Sequence, residues 1–354
     1  MQDESKLEFR PVLSHEFGIL DGISGTGKSM LGPFISALPN VTRIAIDETL
    51  EQLLVMRHLG LINEDVLRQL WTLRMDLRAF NSQIGRETNL RLGDDTGLRF
   101  YRHKLKEYWK TLKSYDTGQV EEFIKSNNVT SSIMLHHSAH ALPDLFELFG
   151  QKLKVVEVVR HPVYLVDHWQ GYYGRSSAIR STDWDLRARV HPRFPDFNLP
   201  WWASAETYHA TNKYDLICSL LMDALDKFVE PLDRLMSIFD SGQLLVVPFE
   251  LFVAEPDPWL IRLQTLFGTE LRDRDLIRLK QSQKIPRNRV TQGIGHASYG
   301  FEYIRDSRQS QAKDFRRRFD EIARTLSAPL TERFVAHCGR YEASWLPNDF
   351  LSRP

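Results

Sequence analysis

The chain contains the stretch Gly22-Ile23-Ser24-Gly25-Thr26-Gly27-Lys28-Ser29, which matches the pattern G-x-x-x-x-G-K-[ST] in full. The apolar run Phe17–Leu20 precedes it, and apolar residues recur at helical spacing over 29–38. In a strand, glycine loop and helix of this kind, several backbone N–H groups point at one anion, and the helix N-terminus adds partial positive charge. The stretch therefore predicts a phosphate-containing ligand, with Lys28 neutralising phosphate oxygens and Ser29 holding a magnesium ion or a phosphate oxygen.

Further apolar runs alternate with helical segments along the chain. The runs at 129–135, 154–159 and 244–247 are predicted strands, and Arg43–Ile46 is a shorter candidate. The main predicted helices are 29–38, 51–113 with a loop at 81–97, 142–149, 205–239, 259–267 and 309–336. This alternation predicts an α/β fold of three layers, α/β/α, with a central parallel sheet and ligands at the carboxyl ends of its strands.

Length and composition indicate one domain. The 354 residues, 42% of them apolar, can form a sizeable core, so we expect a single domain over 1–354. It has a helical insertion at about 49–118 and an irregular insertion, rich in Arg, Pro and Trp, at about 174–204. Lys plus Arg equals Asp plus Glu, 46 each, which argues against a general nucleic-acid-binding protein.

The same data predict a cytoplasmic protein. Cys218 and Cys338 match neither a disulfide framework nor a metal-ligand spacing, which favours a reducing compartment. The first ten residues lack the apolar core of a signal peptide. No apolar run approaches the roughly 18 residues of a membrane span.

The phosphate loop alone leaves the reaction open. A magnesium-dependent kinase that uses ATP would need Ser29 and a second acidic residue after a strand. Asp21 and Asp47 are the candidates, but neither ends a long apolar strand; the strongest strands are followed by Arg160 and by a segment ending in Glu250. A non-catalytic nucleotide-binding protein is a third possibility.

Four segments, in the right order, resemble the sulfotransferase family. Ser24-Gly25-Thr26 with the helix after it resembles that family's phosphosulfate loop, and 154–162, ending Arg-His-Pro, resembles its strand ending Arg-Asp-Pro or Arg-Asn-Pro. The segment 244–252 is similar to its Tyr-Glu-Asp-Leu pattern, and 255–268 to the helix ending Phe-Leu-Gly. The resemblance covers Phe17 to about Gly268.

The resemblance implies 3′-phosphoadenosine 5′-phosphosulfate as donor, no metal, and a small-molecule or glycan acceptor that offers a hydroxyl or amine. It assigns the 5′-phosphosulfate to Ser24, Gly25, Thr26, Gly27, Lys28 and Ser29. It assigns the 3′-phosphate to Arg160, to His168 where the family has a serine, and to Arg287 and Arg289; a guanidinium suits a bidentate phosphate contact. Ile23 stands where the family has Lys or Arg, so Lys28 is interpreted as the catalytic cation, and a nucleoside triphosphate remains an alternative ligand.

A sulfuryl acceptor must lose a proton, so a general base is needed. His136 and His137 follow the strand at 129–135 and precede Leu142-Pro143, much as a histidine precedes Leu-Pro in some members of the family. We favour His136, because histidine titrates near neutrality, with Glu48 second, since other members have a carboxylate in that position. Trp201-Trp202 either lines an acceptor pocket or anchors the insertion to the core.

Overall fold

The structure is a computed structural model that describes residues 13, 16–90, 97–98, 109, 116–175, 189–194, 197–239, 242–292, 297–298, 301–302, 309–348 and 350–352. The strands are β1 (Glu16–Asp21), β2 (Thr130–Met134), β3 (Leu153–Val159), β4 (Arg189–Val190), β5 (Asn198–Leu199), β6 (Leu244–Pro248), β7 (Ala297–Ser298) and β8 (Phe301–Glu302). The helices are α1 (Lys28–Ala37), α2 (Glu48–His58), α3 (Glu64–Gln83), α4 (Thr117–Ser126), α5 (Leu142–Phe149), α6 (Pro162–Arg175), α7 (Ala205–Tyr208), α8 (Lys213–Ala224), α9 (Leu232–Ile238), α10 (Phe249–Ala254), α11 (Pro256–Phe267), α12 (Asp273–Gln283), α13 (Gln311–Thr325) and α14 (Ala328–Trp345). A π-helical turn, Leu225–Val229, follows α8.

A four-stranded sheet organises the fold, in the order β2-β1-β3-β6, and each neighbouring pair is parallel. The predicted α/β class is therefore confirmed, and the four long predicted strands match these four within two residues. The fifth candidate, Arg43–Ile46, is not a regular strand of the sheet. The chain there only touches β2 through isolated parallel bridges, Val41 with Thr130 and Ile46 with Met134.

Helices cover both faces of this sheet. The Phe17 ring packs edge-on against Phe149 at the end of α5, with centroids 5.1 Å apart. At the next residue, a Cβ added to Gly18 would lie 3.0 Å from the Phe267 ring of α11. Because successive strand residues point to opposite faces, α5 and α11 lie on opposite sides, and the arrangement is three-layered. The carboxyl ends of the strands meet at one edge, where the loop Gly22–Ser29 lies.

Two of the predicted helices are interrupted in the structure. The single helix predicted over 205–239 is wrong: the chain forms α7, α8, the π-turn and α9. Asn212 starts α8 anew by accepting a hydrogen bond from Asp215 N–H at 2.8 Å, and Pro231, which lacks an N–H, precedes α9. The helix predicted over 309–336 is likewise two helices, with Pro329 in the first turn of α14.

Other differences are smaller. α3 extends to Gln83, three residues into the predicted loop, and α12 occupies a segment with no predicted element. Much of the two predicted insertions, including 176–188 and most of 91–115, lies outside the described residues. In the part of the chain that is described, no helix combines the length and apolar character needed to cross a membrane.

Candidate functional site

The loop Gly22–Ser29 joins β1 to α1 and is curled tightly. Gly22, Gly25 and Gly27 all have positive φ values, of 147°, 90° and 96°. A Cβ on Gly22 would lie 2.4 Å from the carbonyl oxygen of Val158, and one on Gly27 would lie 2.3 Å from the Phe249 ring. Glycine is therefore required both by backbone conformation and by space, and the predicted strand–loop–helix unit is present.

Lys28 lies inside this curl. Its Nζ donates a hydrogen bond to the Gly22 carbonyl and lies 3.4 Å from the Ile23 carbonyl oxygen. Burial lowers the pKa of the Lys28 ammonium group, and the nearby charges of Asp21 and then Glu157 oppose this shift. A buried ammonium held by the loop carbonyls is placed where it can bind the oxygens of an anion in the loop.

Other loop groups have structural bonds. The Thr26 hydroxyl donates to the Ile23 carbonyl at 3.0 Å, and is fully buried. The backbone N–H of Ser24 donates to His137 Nε2 at 3.3 Å, and the Ser24 carbonyl accepts from the Trp169 indole at 2.8 Å. The loop is thus tied to α6 and to the turn after β2, while Ser29 occupies the first turn of α1.

Two carboxyl groups lie beneath the loop. Asp21, at the end of β1, accepts hydrogen bonds from Ser138 N–H at 2.8 Å and from the Ser138 hydroxyl. Glu157 lies opposite Asp21 on β3 and is 1% exposed. Burial, followed by the repulsion of Asp21, raises the pKa of Glu157 well above its ordinary value.

Arg160, directly after β3, reaches back to the loop. Its Nη1 donates to the Gly25 carbonyl at 2.8 Å, and the guanidinium lies 4.4 Å from the centroid of the Phe249 ring. The side chain is only 7% exposed, and among the described residues its Nε and Nη2 have no hydrogen-bond partner. Unsatisfied, buried donors of this kind are costly unless an anion binds them.

Arg287, in the segment after α12, also lies near Arg160. Its Nη2 contacts the Met30 sulfur of α1 at 3.6 Å, and its backbone N–H donates to the Val253 carbonyl at 2.7 Å. Burial and the repulsion of Arg160 lower the pKa of Arg287 to about 10. Arg287 is half-buried, and two neighbouring guanidinium groups that repel each other are suited to binding a doubly charged anion.

His168 and Arg289 are the other two residues that the sequence analysis assigned to the 3′-phosphate. A Cβ on Gly25 would lie 2.4 Å from His168 Cδ2, so the imidazole packs on the loop itself. Burial, then the positive charges of Arg160 and Lys28, lower the pKa of His168 to about 3, so the ring is neutral at pH 7. Arg289 is half-buried, two residues beyond Arg287.

The turn after β2 brings three histidines to the other side of the loop. His136 Nδ1 lies 2.9 Å from Glu51 Oε1, which also accepts the His136 backbone N–H at 2.6 Å. Since a carboxylate only accepts, the proton is on Nδ1, and Nε2 of His136 is the basic nitrogen. A carboxylate on Nδ1 also stabilises the imidazolium that forms when Nε2 takes a proton.

The other two histidines have the same tautomer but different partners. His137, whose φ is +58°, accepts the Ser24 N–H at Nε2, so its proton is on Nδ1. Burial, then Lys28, lowers the pKa of His137 well below its ordinary value. His140 Nδ1 donates to the His137 carbonyl at 3.0 Å, and burial, followed by the repulsion of His58, lowers the pKa of His140 to about 3. Both rings are therefore neutral at pH 7, and His136 is the one paired with a carboxylate.

A cavity of about 60 Å³ lies beside these histidines. It is lined by Glu51, Gln52, Val55, His136, His137, Ser138, His140, Tyr173, Pro200, Trp201 and Trp202. Trp201 and Trp202 line the cavity and also pack against the core, so both interpretations of this pair apply. The cavity adjoins the loop through His137, so an acceptor in it would lie next to a donor in the loop.

The structure separates the predicted base candidates. His136 lines the cavity, whereas Glu48 is exposed in the first turn of α2, outside the cavity lining. Glu51 lies three residues later and was not predicted from the sequence. The sequence contained one signal for it: the α2 residue three positions beyond Glu48 lies on nearly the same helix face.

Comparisons with known proteins identify fold relatives only. No protein-family model and no curated protein matches the chain. Among solved structures, the sulfotransferase domain of the Synechococcus PCC 7002 olefin synthase is 11% identical, with a TM-score of 0.43 over 96% of this chain and 100% of that one. The sulfotransferase domain of the curacin biosynthetic pathway is 11% identical, with a TM-score of 0.45 over 94% and 99%.

A third match is sulfotransferase STF9 from Mycobacterium avium, 13% identical, with a TM-score of 0.37 over 89% of this chain and 77% of that one. These solved structures belong to the family whose motifs the sequence resembles. At such TM-scores the similarity carries no weight for the chemistry, which rests on the residues of the site.

Proposed function

We propose that the protein is a sulfotransferase that moves a sulfuryl group from 3′-phosphoadenosine 5′-phosphosulfate to a hydroxyl or amine acceptor. The pair of neighbouring guanidinium groups of Arg160, which is buried, and Arg287, which is half-buried, carries the proposal. It supports a second anion site next to the loop, at Gly25. A donor with phosphate on both the 5′ and the 3′ position of one ribose fits two adjacent anion sites, whereas a linear triphosphate has no 3′ charge for the second.

The loop and the arginine pair divide the donor between them. The loop N–H groups and Lys28 would hold the 5′-phosphosulfate, and Arg160 with Arg287 would hold the 3′-phosphate. The donor supplies an activated sulfuryl group: the bond from sulfur to the bridging phosphate oxygen breaks as the bond to the acceptor oxygen forms. Lys28, whose Nζ lies among the loop carbonyls, would stabilise the negative charge that develops on the phosphate.

His136 is the proposed base. Its Nε2 removes the acceptor proton at the cavity, and Glu51 holds the ring and stabilises the imidazolium. His140, whose pKa is about 3, is too weak a base for this step at neutral pH. Glu48, exposed on α2, lies outside the cavity lining, so we place it second, as the sequence did.

The main alternative is a magnesium-dependent kinase, and the acidic groups near the loop disfavour it. Burial raises the pKa of Glu157, Asp21 accepts hydrogen bonds from Ser138, and Asp47 is paired with Arg74 at 2.7 Å. Within the described ranges, no three His, Cys, Asp or Glu side chains cluster as a metal site. A magnesium ion prefers ionised carboxylates that are not already paired with an arginine.

Calorimetric titration tests the donor. We expect adenosine 3′,5′-bisphosphate to bind without magnesium, and more tightly than adenosine 5′-monophosphate, because only the first has a 3′-phosphate for Arg160. Arg160→Met is expected to weaken bisphosphate binding by about 10- to 100-fold, the range for a lost charge-assisted contact. The same variant leaves the monophosphate affinity nearly unchanged.

The control variant is Arg262→Met, whose guanidinium lies 4.8 Å from the Trp259 ring on α11, away from the loop. It retains wild-type binding of both nucleotides. Equal affinities of the wild-type protein for the two nucleotides, or tight binding of ATP that requires magnesium, would overturn the proposal.

A further inference from the structure

The π-turn Leu225–Val229 packs behind the cavity lining. The Glu230 N–H donates to the Leu225 carbonyl at 2.9 Å, an i to i+5 bond that adds one residue to the turn. Such turns are frequent at functional sites. Here two consecutive side chains of the turn contact residues that line the cavity: Phe228 lies 5.3 Å from the His137 ring, and the Lys227 Nζ lies 5.3 Å from the Trp201 ring centroid.

The charge of Lys227 is not neutralised nearby. Its Nζ donates to His58 Nε2 at 3.2 Å, and within the described part of the chain it forms no salt bridge with a carboxylate. The adjacent carboxylate, Asp226, is engaged elsewhere, by Arg333 at 2.6 Å and His337 at 3.0 Å. Lys227 thus has a neutral hydrogen-bond partner, and its ammonium group lies over a tryptophan that lines the cavity.

His58 adds a second donor. Because its Nε2 accepts from Lys227, its proton is on Nδ1. The ring lies 4.8 Å from Trp201 and 4.9 Å from His140, both of which line the cavity. We call Lys227 and His58 the cationic rim.

The cavity lining itself contains a carboxylate. Glu51, bound to His136, lines the cavity on the side of the proposed base. An acidic group on the acceptor would be repelled there and attracted to the cationic rim. The two charges therefore favour one orientation of an acceptor that has a hydroxyl at one end and an acid at the other.

We propose that the acceptor carries an oxyanion, such as a carboxylate, sulfonate or phosphate, which binds the cationic rim while its hydroxyl lies at His136. The apolar body between them packs on the Trp201 ring. The assignment of the hydroxyl end rests on the proposed sulfuryl transfer, but recognition of the acid does not.

The test measures binding without any nucleotide, so it is independent of sulfuryl transfer. The probes are 4-hydroxyphenylacetate and its neutral counterpart 4-hydroxyphenylacetamide, titrated by calorimetry. We expect the wild-type protein to bind the acid about tenfold more tightly than the amide, the size of one charge-assisted contact. Lys227→Met removes the preference, and Lys227→Arg retains it.

Lys152→Met, at an exposed position between α5 and β3, is the matched control and keeps the preference. Equal affinity of the wild-type protein for the two probes, or a preference that survives Lys227→Met, would overturn the inference. If adenosine 3′,5′-bisphosphate fails to bind while the acid preference depends on Lys227, the proposed function fails and the acid site stands.

Discussion

The donor end and the acceptor end of the site are built in different ways. The proposed donor end is eight consecutive residues, Gly22–Ser29, that run from the end of β1 into the first turn of α1, together with Arg160 directly after β3. The acceptor end is assembled from α2, the turn after β2, residues 200–202 and the π-turn. The first is fixed mainly by local backbone conformation, and the second by tertiary packing of distant segments.

The chemistry differs in the same way. At the donor end, glycine backbone, Lys28 and two arginines present positive charge to anions. At the acceptor end, a carboxylate, three histidines and two tryptophans surround a cavity of about 60 Å³. Donor binding and proton removal can therefore be changed separately by substitutions at opposite ends.

The largest expected effect is on turnover, at the acceptor end. His136→Asn removes the proposed base, so we expect kcat to fall by about 10²- to 10⁴-fold, or roughly 3 to 5 kcal/mol of activation free energy. Binding of adenosine 3′,5′-bisphosphate stays unchanged, because the hydrogen bonds of His136 are made to Glu51. The measurement is sulfuryl transfer to 4-hydroxyphenylacetate, together with a calorimetric titration of the nucleotide.

Two further variants sharpen this result. Glu51→Gln keeps an oxygen that can accept the Nδ1–H bond but loses the charge that stabilises the imidazolium, so kcat falls less than in His136→Asn. His140→Gln changes a neighbouring ring that is not the base and keeps kcat within a few-fold. A fall in kcat that is as large for His140→Gln as for His136→Asn would contradict the assignment.

The next effect is on stability, at the donor end. Gly22→Ala places a Cβ 2.4 Å from the Val158 carbonyl oxygen at a φ of +147°. Backbone strain and the clash with β3 are expected to lower the free energy of unfolding by about 2 to 5 kcal/mol, measured by urea denaturation.

The matched control is Gly339→Ala on α14, where an added Cβ meets no atom within 4 Å. Alanine is expected to be neutral or to stabilise this helix by up to about 1 kcal/mol. A Gly22→Ala protein as stable as Gly339→Ala would show that the loop is less tightly packed against β3 than its geometry indicates.

The contrast between the two ends also explains what the sequence could predict. The loop and the four long strands follow from local patterns: glycines before Lys28, and apolar runs such as Lys154–Val159. Arg160 was found because it directly follows a strand whose carboxyl end lies at the ligand edge. These features depend on residues close in sequence, so the local sequence pattern reflects the interactions that form them.

The acceptor end lacked such signals. Glu51 reaches His136 across 85 residues, and the tautomer of that histidine depends on the contact. The break of the predicted helix over 205–239, which creates the π-turn and places Lys227 over Trp201, depends on packing that no local periodicity encodes. In the sequence, only the prediction of Glu48 pointed to α2 as part of the site, and Glu48 itself lies outside the cavity lining.

The smallest expected effect compares one histidine at each end. Burial lowers the pKa of His168, at the donor end, and of His140, at the acceptor end, to about 3, from an ordinary 6.5. Below pH 6.5 the unfolded chain takes up a proton that the folded protein does not, so stability falls as the pH decreases towards 3. Each ring accounts for a loss of about 1.4 kcal/mol between pH 7.5 and 5.5.

Urea denaturation of His168→Gln and His140→Gln at these two pH values measures each loss. Each variant is expected to lose less stability on acidification than the wild-type protein, by about 1.4 kcal/mol, because glutamine takes up no proton. His209→Gln, at the exposed end of α7, controls for the substitution itself. If the pH dependence of stability becomes weaker only in His140→Gln, then His168 is exposed to solvent in solution. The site around Gly25 is then more open than the packing of the His168 ring on Gly25 indicates.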